Sequence, residues 1–493
     1  MSRLRPLHWI VAALALVVLA LSLWRLEGVR QGIEILRFEV GTTPATLYRL
    51  PGGDRRLVVV SHGFAGSRQL MEAWSLTLAR NGLAVVAFDY EGHGRNSVPM
   101  SGDVTSVEGT TRLLVDETRR VTDAALALPG VTGPVAILGH SMASDVIVRT
   151  AATDPRITDV VAISMFSEAV TADHPRRLLI ITGQWEAYLR AAALDALRLV
   201  DPAGQEGQTL AAGEVRRRAV VAPMVEHVGV LYSATGLREA RDWLGGEGAT
   251  TDPAPVAATG GAILAMLAAI VALGWPLSRL LPQARRPTAP LPPGRFALAV
   301  IAPALAAPLI ATRIDTGVLP VLVADYLVVH LLILGVLQLA VLRWAGVSPG
   351  PVRPLALAAL LVWGLLVFGG ALDRYVASFW PSGTRWGIVA LLALGTIPAM
   401  LADTTLSDAG QAPLWRRIGA KAAFFASLAL AVALDFERLF FLLIVVPVIV
   451  LFFLVYGLMG RWAGRGATAA TVGLGLGVIL AWALGVTFPL FAA

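Results

Sequence analysis

Apolar residues are distributed differently in the two halves of the chain. In the first half, short runs rich in β-branched residues alternate with helix-like segments that carry many charges. This alternation is typical of parallel strands connected by helices that cover both faces of a sheet. From about residue 256 onward, apolar runs approach the roughly 20 residues that a membrane-spanning helix needs. The pattern therefore predicts an α/β domain with a mostly parallel sheet, followed by an all-α polytopic transmembrane bundle.

The runs of the first half are short, as expected of strands that are buried on both faces. Longer segments with helical periodicity lie between or after them. The predicted strands are Leu57–Ser61, Ala84–Asp89, Val135–Gly139, Val160–Ser164, Leu178–Thr182 and Ala219–Ala222, and the predicted helices are 68–80, 108–127, 141–153 and 237–244.

The remaining segments predict the domain boundaries. An apolar run near the N-terminus, preceded by arginines, predicts a signal anchor or a signal peptide in residues 1–24, and we favour the anchor. The α/β domain is expected at 25–247, a Gly/Pro/Thr-rich linker at 248–255, and a membrane region of about eight helices at 256–493. The predicted spans lie near 256–276, 296–312, 317–342, 354–372, 386–402, 420–434, 439–459 and 467–490.

Composition agrees with a membrane protein. Hydrophobic residues make up 56% of the chain and charged residues 15%, against about 25% charged residues in soluble domains. The mean hydropathy is +0.69. The absence of cysteine excludes disulfides, cysteine–zinc sites and a cysteine nucleophile. The sequence also carries no phosphate-binding loop, dinucleotide fingerprint or metal-ligand cluster, so we expect no cofactor.

The basic pI of about 10.1 reflects membrane topology rather than nucleic-acid binding. Residues 25–255 hold 23 arginines and 27 acidic residues, whereas the rest of the chain holds 17 basic and 7 acidic residues. The positive excess therefore lies in short loops between apolar runs. With the N-terminus in the cytoplasm, thirteen Arg and Lys residues fall in inside loops and four in outside loops. This bias predicts a bacterial inner-membrane protein with its α/β domain on the extracytoplasmic side.

A serine motif follows one predicted strand and precedes a predicted helix. The segment Gly139-His140-Ser141-Met142-Ala143 matches the G-x-S-x-G pattern except for its last residue. A serine in a sharp strand-to-helix turn needs small residues two positions away, because the two backbones approach closely there. Ser141 is therefore the candidate nucleophile. A buried serine in a glycine turn is the alternative if the motif stands alone.

Further candidates follow other predicted strands in the order that a Ser–acid–His triad of this kind requires. Glu186 follows the strand that ends at Thr182, and His227 follows the strand that ends at Ala222. We predict that Ser141, Glu186 and His227 form a triad, with Asp173 and Asp195 as alternative acids. The predicted oxyanion donors are the backbone N–H groups of Phe64, in a His-Gly-Phe loop, and of Met142.

These motifs resemble the α/β-hydrolase superfamily, in the branch of monoacylglycerol lipases, lysophospholipases and serine aminopeptidases. The resemblance implies hydrolysis through an acyl-enzyme, and it covers about 210 residues. It rests on His62–Phe64, Asp89–Arg95, Gly139–Met142 and Glu226–His227.

The sequence departs from that family pattern at three points. Ala143 replaces the usual glycine, and the acid is Glu186 where the branch more often has aspartate. The cap domain is nearly missing, since only Glu168–Arg177 separates two predicted strands. Either the nucleophile lies in an open groove, or residues 186–215 fold over it.

The predicted function is that of a membrane-bound serine hydrolase of esterase or lipase type. Its expected substrate is a small-molecule or lipid ester, and no nucleic-acid partner is expected. A peptidase or an acyltransferase would use the same triad, and a transporter or sensor with an inactive binding domain is a further alternative. Asp325 and His330 share one predicted span, where they mark either a polar contact between helices or a path for protons or substrate.

Overall fold

The computed structural model describes residues 4–103, 106–245, 253–282, 288–314 and 317–492. The strands are β1 Glu34–Val40, β2 Thr43–Arg49, β3 Arg55–Ser61, β4 Ala84–Phe88, β5 Val131–His140, β6 Ile157–Ile163, β7 Arg177–Gly183, β8 Thr209–Ala212 and β9 Val215–Ala222. The helices of the first part are α1 Pro6–Gly28, α2 Glu72–Arg80, α3 Arg112–Leu126, α4 Met142–Thr153, α5 Ala187–Arg198 and α6 Ala234–Gly245. The later helices are α7 Gly260–Leu277, α8 Pro293–Ala311, α9 Ala324–Trp344, α10 Pro354–Leu361, α11 Gly369–Tyr375, α12 Arg385–Leu406, α13 Leu414–Leu434, α14 Phe436–Leu439, α15 Leu442–Ala463 and α16 Ala469–Thr487.

The first part of the chain forms one nine-stranded sheet in the order β1-β2-β4-β3-β5-β6-β7-β9-β8. The strands from β4 to β9 in this order pair in parallel, whereas β1, β2 and β8 pair antiparallel at the two ends. Central strands such as β3 are buried because helices cover both faces. The predicted fold class is confirmed. In a parallel sheet the carboxyl ends of the strands meet at one edge, here called the C-terminal edge.

The structure adds elements that the pattern did not predict. Strands β1, β2 and β8 alternate or carry polar residues, so they lack the continuous apolar run of a buried strand. Helix α5 was likewise not predicted. The helix predicted at 68–80 begins only at Glu72, because Arg68 lies in a turn where its backbone and side chain both bind Asp89.

Among the described residues, nine helical segments are long and apolar enough to cross a membrane. This is compatible with an integral membrane protein. They include α1 and eight later segments, one of which runs through α10 and α11. Helix α1 packs on α7 through Ala15, Ala269 and Leu273. The helices from α7 to α16 are here called the bundle.

Several predicted spans differ from the observed helices at their ends; the span predicted at 420–434, for example, begins as a helix at Leu414. The span predicted at 317–342 begins as a helix only at Ala324, and the span predicted at 467–490 ends as a helix at Thr487. Residues 488–492, here called the C-terminal segment, are extended and contact the α/β domain. Most of the predicted linker, residues 248–252, lies outside the described residues. Ala257 just after it is buried, and its N–H donates to Thr77 Oγ1 at 2.9 Å.

The two ionisable residues predicted in one span have different environments. Asp325 lies in the first turn of α9 and accepts a hydrogen bond from Leu319 N–H at 2.9 Å. His330 is fully buried, with Nδ1 2.9 Å from Tyr326 Oη and Nε2 3.1 Å from Ser427 Oγ on α13. Both ring nitrogens of His330 therefore have partners. These contacts favour the interhelical hydrogen bond over a proton path at His330.

Candidate active site

Ser141, the candidate nucleophile, lies in the sharp turn between β5 and α4. Its backbone angles are φ 55° and ψ −119°, a region that residues other than glycine seldom occupy. Small neighbours make this turn possible, since a Cβ atom at Gly139 would lie 2.9 Å from the carbonyl oxygen of Ala143. Ala143 is itself fully buried. The turn therefore has the geometry of a nucleophile elbow, with alanine where glycine is usual.

His227 is hydrogen-bonded on both sides of its ring. Nε2 lies 2.8 Å from Ser141 Oγ, and Nδ1 lies 2.5 Å from Glu186 Oε1. In the neutral tautomer that fits both partners, Nδ1–H donates to the carboxylate and Nε2 accepts from the hydroxyl. The two alternative acids, Asp173 and Asp195, are exposed. The structure thus brings the three predicted residues together at the C-terminal edge, with Glu186 as the acid beside the histidine.

Glu186 is held in place by two further groups. Its Oε2 accepts hydrogen bonds from Gly183 N–H at 2.5 Å and from Ser164 Oγ at 2.8 Å, which leaves Oε1 for His227. Burial opposes the negative charge, but the hydrogen bonds from His227, Gly183 and Ser164 hold the pKa of Glu186 below its ordinary value of 4.5. Ser164 was not among the predicted site residues, although its place directly after a predicted strand is a signal for it.

A second histidine supports the backbone of His227. His140 precedes Ser141, is buried, and places its Nε2 2.9 Å from the carbonyl oxygen of His227. The hydrogen bond requires a proton on Nε2. Burial, together with the nearby His227, lowers the pKa of His140 to about 4, so the ring is neutral at higher pH. It therefore orients His227 without placing a second positive charge beside it.

The predicted oxyanion donors come from the two segments that flank Ser141. Met142 is the first residue of α4, where backbone N–H groups have no acceptor within the helix. The loop after β3 approaches from the opposite side, since a Cβ atom at Gly63 would lie 2.9 Å from Ser141 Cβ. Phe64 follows Gly63 in that loop. Both amides therefore belong to segments in close contact with the nucleophile, as an oxyanion hole requires.

A cleft of about 480 Å³ extends from Ser141 and His227. The connection from β6 to β7, residues 164–176, contains no helix or strand in the described part of the chain and supplies one wall. Residues 186–215, the alternative cover, contribute Leu189 to the side of the cleft. The site is therefore open, as the nearly missing cap predicts.

Exposed apolar side chains lie on the segments that carry the residues of this cleft, and one of them, Phe166, lines it. Phe166 and Tyr188 stack with their ring centroids 5.7 Å apart. Trp185 is 61% exposed, and Tyr188 and Met224 are each 70% exposed. Clustered exposure of large apolar side chains is typical of binding surfaces. The aromatic rim, as we call it, consists of Phe166, Trp185, Tyr188, Met224 and Val228.

On the other side of Ser141, the loop after β4 contacts the bundle. Arg385, the first residue of α12, is 2% exposed and donates a hydrogen bond to the carbonyl oxygen of Gly92 at 2.8 Å. The same guanidinium donates to the carbonyl oxygens of Gly485 at 3.0 Å and Phe488 at 2.8 Å. Arg385 is one of the four basic residues that the sequence analysis counts in outside loops. In the structure it begins α12, and its side chain is buried between the α/β domain and the bundle.

The C-terminal segment extends this contact towards the loop after β3, which carries Phe64 and is here called the oxyanion loop. Leu490 N–H donates to the carbonyl oxygen of Gly92, and the Leu490 carbonyl oxygen accepts from Met100 N–H, both at 2.9 Å. Phe491 is 6% exposed, belongs to the same apolar core as Met100, and places its ring 6.3 Å from that of Phe64. The segment that carries one predicted oxyanion donor is thus packed against a residue more than 400 positions later in the chain.

Known proteins are similar to the part of the chain that carries this site. A family model described as serine aminopeptidase, S33, matches residues 52–227. A curated relative, a monoglyceride lipase homolog of monkeypox virus, is 26% identical over 130 residues. That match covers 26% of this chain and 44% of the relative, so it spans less than half of the relative's length.

Solved structures of hydrolases align to part of this chain. A dienelactone hydrolase from Anabaena variabilis is 19% identical, with 43% of this chain and 96% of that chain covered and a TM-score of 0.32. A CIB-like hydrolase from Thermoplasma acidophilum is 16% identical, with 43% and 97% covered and a TM-score of 0.34. The family match agrees with the resemblance seen in the motifs: residues 52–227 are similar to the serine aminopeptidase, S33 model, and they lie in a mostly parallel, α/β-hydrolase-like sheet that precedes a region of long apolar helices.

Proposed function

We propose that the protein is a membrane-bound serine hydrolase that cleaves carboxylic esters. The observation that carries this proposal is the His227 ring, which is hydrogen-bonded to Ser141 Oγ on one side and to the Glu186 carboxylate on the other. A histidine in this position accepts the serine proton as the hydroxyl attacks a carbonyl carbon.

In the proposed reaction, Ser141 Oγ forms a bond to the ester carbonyl carbon while its proton passes to His227 Nε2. Glu186 stabilises the resulting imidazolium, and the amides of Phe64 and Met142 stabilise the negative oxygen. His227 then returns the proton to the leaving alcohol, and the C–O bond breaks to give an acyl-enzyme. Water, deprotonated by His227, hydrolyses this intermediate and restores Ser141.

The surroundings of the cleft favour an amphiphilic or lipid ester as the substrate. Phe166 of the aromatic rim lines the same cleft as Ser141, and Tyr188 stacks on it, so this part of the rim offers apolar surface for an acyl chain. Trp and Tyr side chains are preferred at membrane–water interfaces, because one part of each side chain is apolar and the other forms hydrogen bonds. Monoglyceride lipase in the name of a relative agrees with this substrate class.

Covalent labelling tests the proposed nucleophile. We expect a fluorophosphonate probe to label the purified full-length protein and the label to map to Ser141. Ser141→Ala should abolish labelling, while Ser167→Ala, a serine in the wall of the same cleft, should keep it. A transporter or sensor with an inactive binding domain would leave the wild-type protein unlabelled, which would overturn the proposal.

Peptide hydrolysis is a second candidate function. The family model is described as a serine aminopeptidase, and Glu168 in the cleft wall is exposed and carries a negative charge that suits a substrate amino group. Asp145 in the same wall is already paired with Arg149 at 2.7 Å. Parallel assays with a p-nitrophenyl ester and an aminoacyl p-nitroanilide distinguish the two functions. Faster anilide cleavage, lost in Glu168→Gln, would favour the peptidase.

Water is the proposed acceptor of the acyl group. Added alcohols should not replace water as the main acceptor, and a predominance of the transfer product would identify an acyltransferase.

We propose an extracytoplasmic α/β domain from the thirteen-to-four bias in basic residues. Protease added to intact spheroplasts should then digest this domain, and protection until lysis would contradict the assignment.

A further inference from the structure

A second cavity lies at the end of the bundle that is remote from the α/β domain. It measures about 540 Å³ and lies between α13 and α15, with α12 and α16 behind it. Asp403 in its wall follows Arg385, which contacts the α/β domain, by 18 positions on the same helix. At 1.5 Å per residue the two are about 27 Å apart along the helix axis. The cavity, here called the basic groove, is therefore distinct from the cleft at Ser141.

The basic groove carries an excess of positive charge. Asp403 Oδ2 lies 2.5 Å from Lys421 Nζ, so these two charges neutralise each other. Arg417 and Arg461 also line the groove, and neither forms an ion pair within the described part of the chain. The Arg417 guanidinium has one weak contact, to the carbonyl oxygen of Gly410 at 3.3 Å, and its buried Nε has no partner among the described residues.

Neighbouring arginines increase this excess. Burial, together with the nearby Arg279 and Arg461, lowers the pKa of Arg465, which follows the last turn of α15. Like charges crowded at one end of a bundle repel one another unless an anion lies between them. A bound anion at Arg417 and Arg461 would relieve this repulsion.

The rest of the groove is apolar and faces outward from the bundle. Phe453, Leu454 and Gly457 form one wall, and Ile418 lies opposite. Leu454 is 64% exposed and Ile418 is 57% exposed, on helices long enough to cross a membrane. Such side chains would face lipid. The groove thus combines a basic end with an apolar surface that continues along the membrane.

We propose that the basic groove binds an anionic phospholipid, with the phosphate between Arg417 and Arg461 and one acyl chain along Phe453 and Leu454. Guanidinium groups match phosphate oxygens in charge and geometry. A soluble phosphate would use the basic end but gain nothing from the apolar wall. This site is independent of the reaction at Ser141.

Native mass spectrometry of the detergent-solubilised full chain tests the proposal. Dioleoyl phosphatidylglycerol should remain bound at concentrations where dioleoyl phosphatidylcholine does not. With each cation near a phosphate contributing about fivefold, the double variant Arg417→Gln, Arg461→Gln should bind phosphatidylglycerol about 30-fold more weakly. Arg343→Gln is the matched control, because Arg343 is an exposed basic residue at the end of α9, outside the groove. If Arg343→Gln weakened phosphatidylglycerol binding by the same factor, the proposal of a specific site in the basic groove would be overturned.

The ion pair inside the groove gives a test that unfolding cannot imitate. Lys421→Gln should weaken phosphatidylglycerol binding about fivefold, whereas Asp403→Asn should strengthen it by a similar factor, because it frees the Lys421 charge. Two variants that merely destabilise the bundle would both weaken binding. Inorganic phosphate at equal concentration should not displace the lipid. Displacement by phosphate, or equal binding of phosphatidylcholine, would overturn the proposal.

Discussion

The two sides of the C-terminal edge are held in different ways. On the acid–base side, Glu186 and His227 are fixed by their own domain: Gly183 and Ser164 bind the carboxylate, and His140 binds the His227 backbone. On the oxyanion side, the loops after β3 and β4 are covered by the bundle and the C-terminal segment. In the proposed mechanism, the residues that transfer the proton are therefore held by their own domain, whereas the loop that carries the Phe64 amide is packed against residues far along the chain.

The two sides of the C-terminal edge also differ in solvent exposure. The acid–base side opens to its surroundings, since the His227 side chain is 42% exposed and the aromatic rim continues from it. The oxyanion side is closed by Arg385 and Phe491, which are 2% and 6% exposed. We therefore expect a substrate to approach from the side of the aromatic rim, because the opposite side is occupied by contacts within the protein.

The largest expected effect comes from removing the reactive pair. Ser141→Ala and His227→Ala should each lower kcat for a short-chain p-nitrophenyl ester by several orders of magnitude, because each removes a group that forms or breaks bonds. The double variant should lose little more, since members of a triad act as a unit. Full activity of Ser141→Ala would contradict the hydrolase mechanism itself.

Changing the acid should have a smaller effect. Glu186→Gln should lower kcat by up to about 10⁴-fold, because the amide favours the wrong tautomer of His227. The lowered pKa of Glu186 means that its contribution to the folded site is present above pH 4.5 and is lost as the pH falls through its folded pKa. In thermal unfolding measurements, the loss of stability at acidic pH should therefore be smaller for Glu186→Gln than for the wild-type protein. Activity lost instead in Asp173→Asn or Asp195→Asn would identify a different acid.

Two variants, each at a glycine with positive φ, test whether the bundle contributes to catalysis. Gly92 has φ +74°, and a Cβ atom there would lie 2.4 Å from the Leu490 carbonyl oxygen. Gly82 has φ +90°, but a Cβ atom there would meet only Arg55 Nη1, at 3.8 Å. We expect Gly92→Ala to displace the C-terminal segment and lower kcat by about 10- to 100-fold, as a misplaced oxyanion donor does.

Gly82→Ala is the control for that comparison. It carries the same left-handed backbone cost, about 1–2 kcal/mol, and should lower thermal stability with little change in kcat. If both variants kept full kcat, the oxyanion loop would not depend on the C-terminal segment. The contrast between the two sides of the edge would then be structural only.

The smallest expected effect concerns the aromatic rim. Trp185→Ser should raise KM about tenfold for a long-chain monoester and leave a butyrate ester nearly unchanged, because only the longer chain reaches the exposed indole. Trp344→Ser is the control, since Trp344 is 68% exposed at the end of α9, away from the cleft. Equal changes in KM for both esters would show that the aromatic rim does not select substrates by chain length.

Most of the fold follows from local patterns. The buried strands were predicted because both faces are covered, which makes each strand one continuous apolar run, and the residues of the predicted triad follow three of those strands. Strands β1 and β8 were missed because an edge strand that is partly exposed has no such run. Strand β2 is mostly buried, but its polar residues interrupt the apolar run. Contacts with the bundle were also missed. Arg385 reads as a loop residue at the end of a span, and nothing near it in the sequence indicates that its partner is Gly92.

The position of the C-terminal segment has a consequence for biosynthesis. Leu490 and Phe491 are translated after helix α16, which ends at Thr487, while the last helix of the α/β domain ends at Gly245. At roughly 5–20 residues per second, the ribosome needs on the order of 12 to 50 s to make the residues between them. During that interval the new domain lacks its partner at Gly92 and Met100. The order of synthesis thus delays assembly of the oxyanion side until the last helix, α16, has been made.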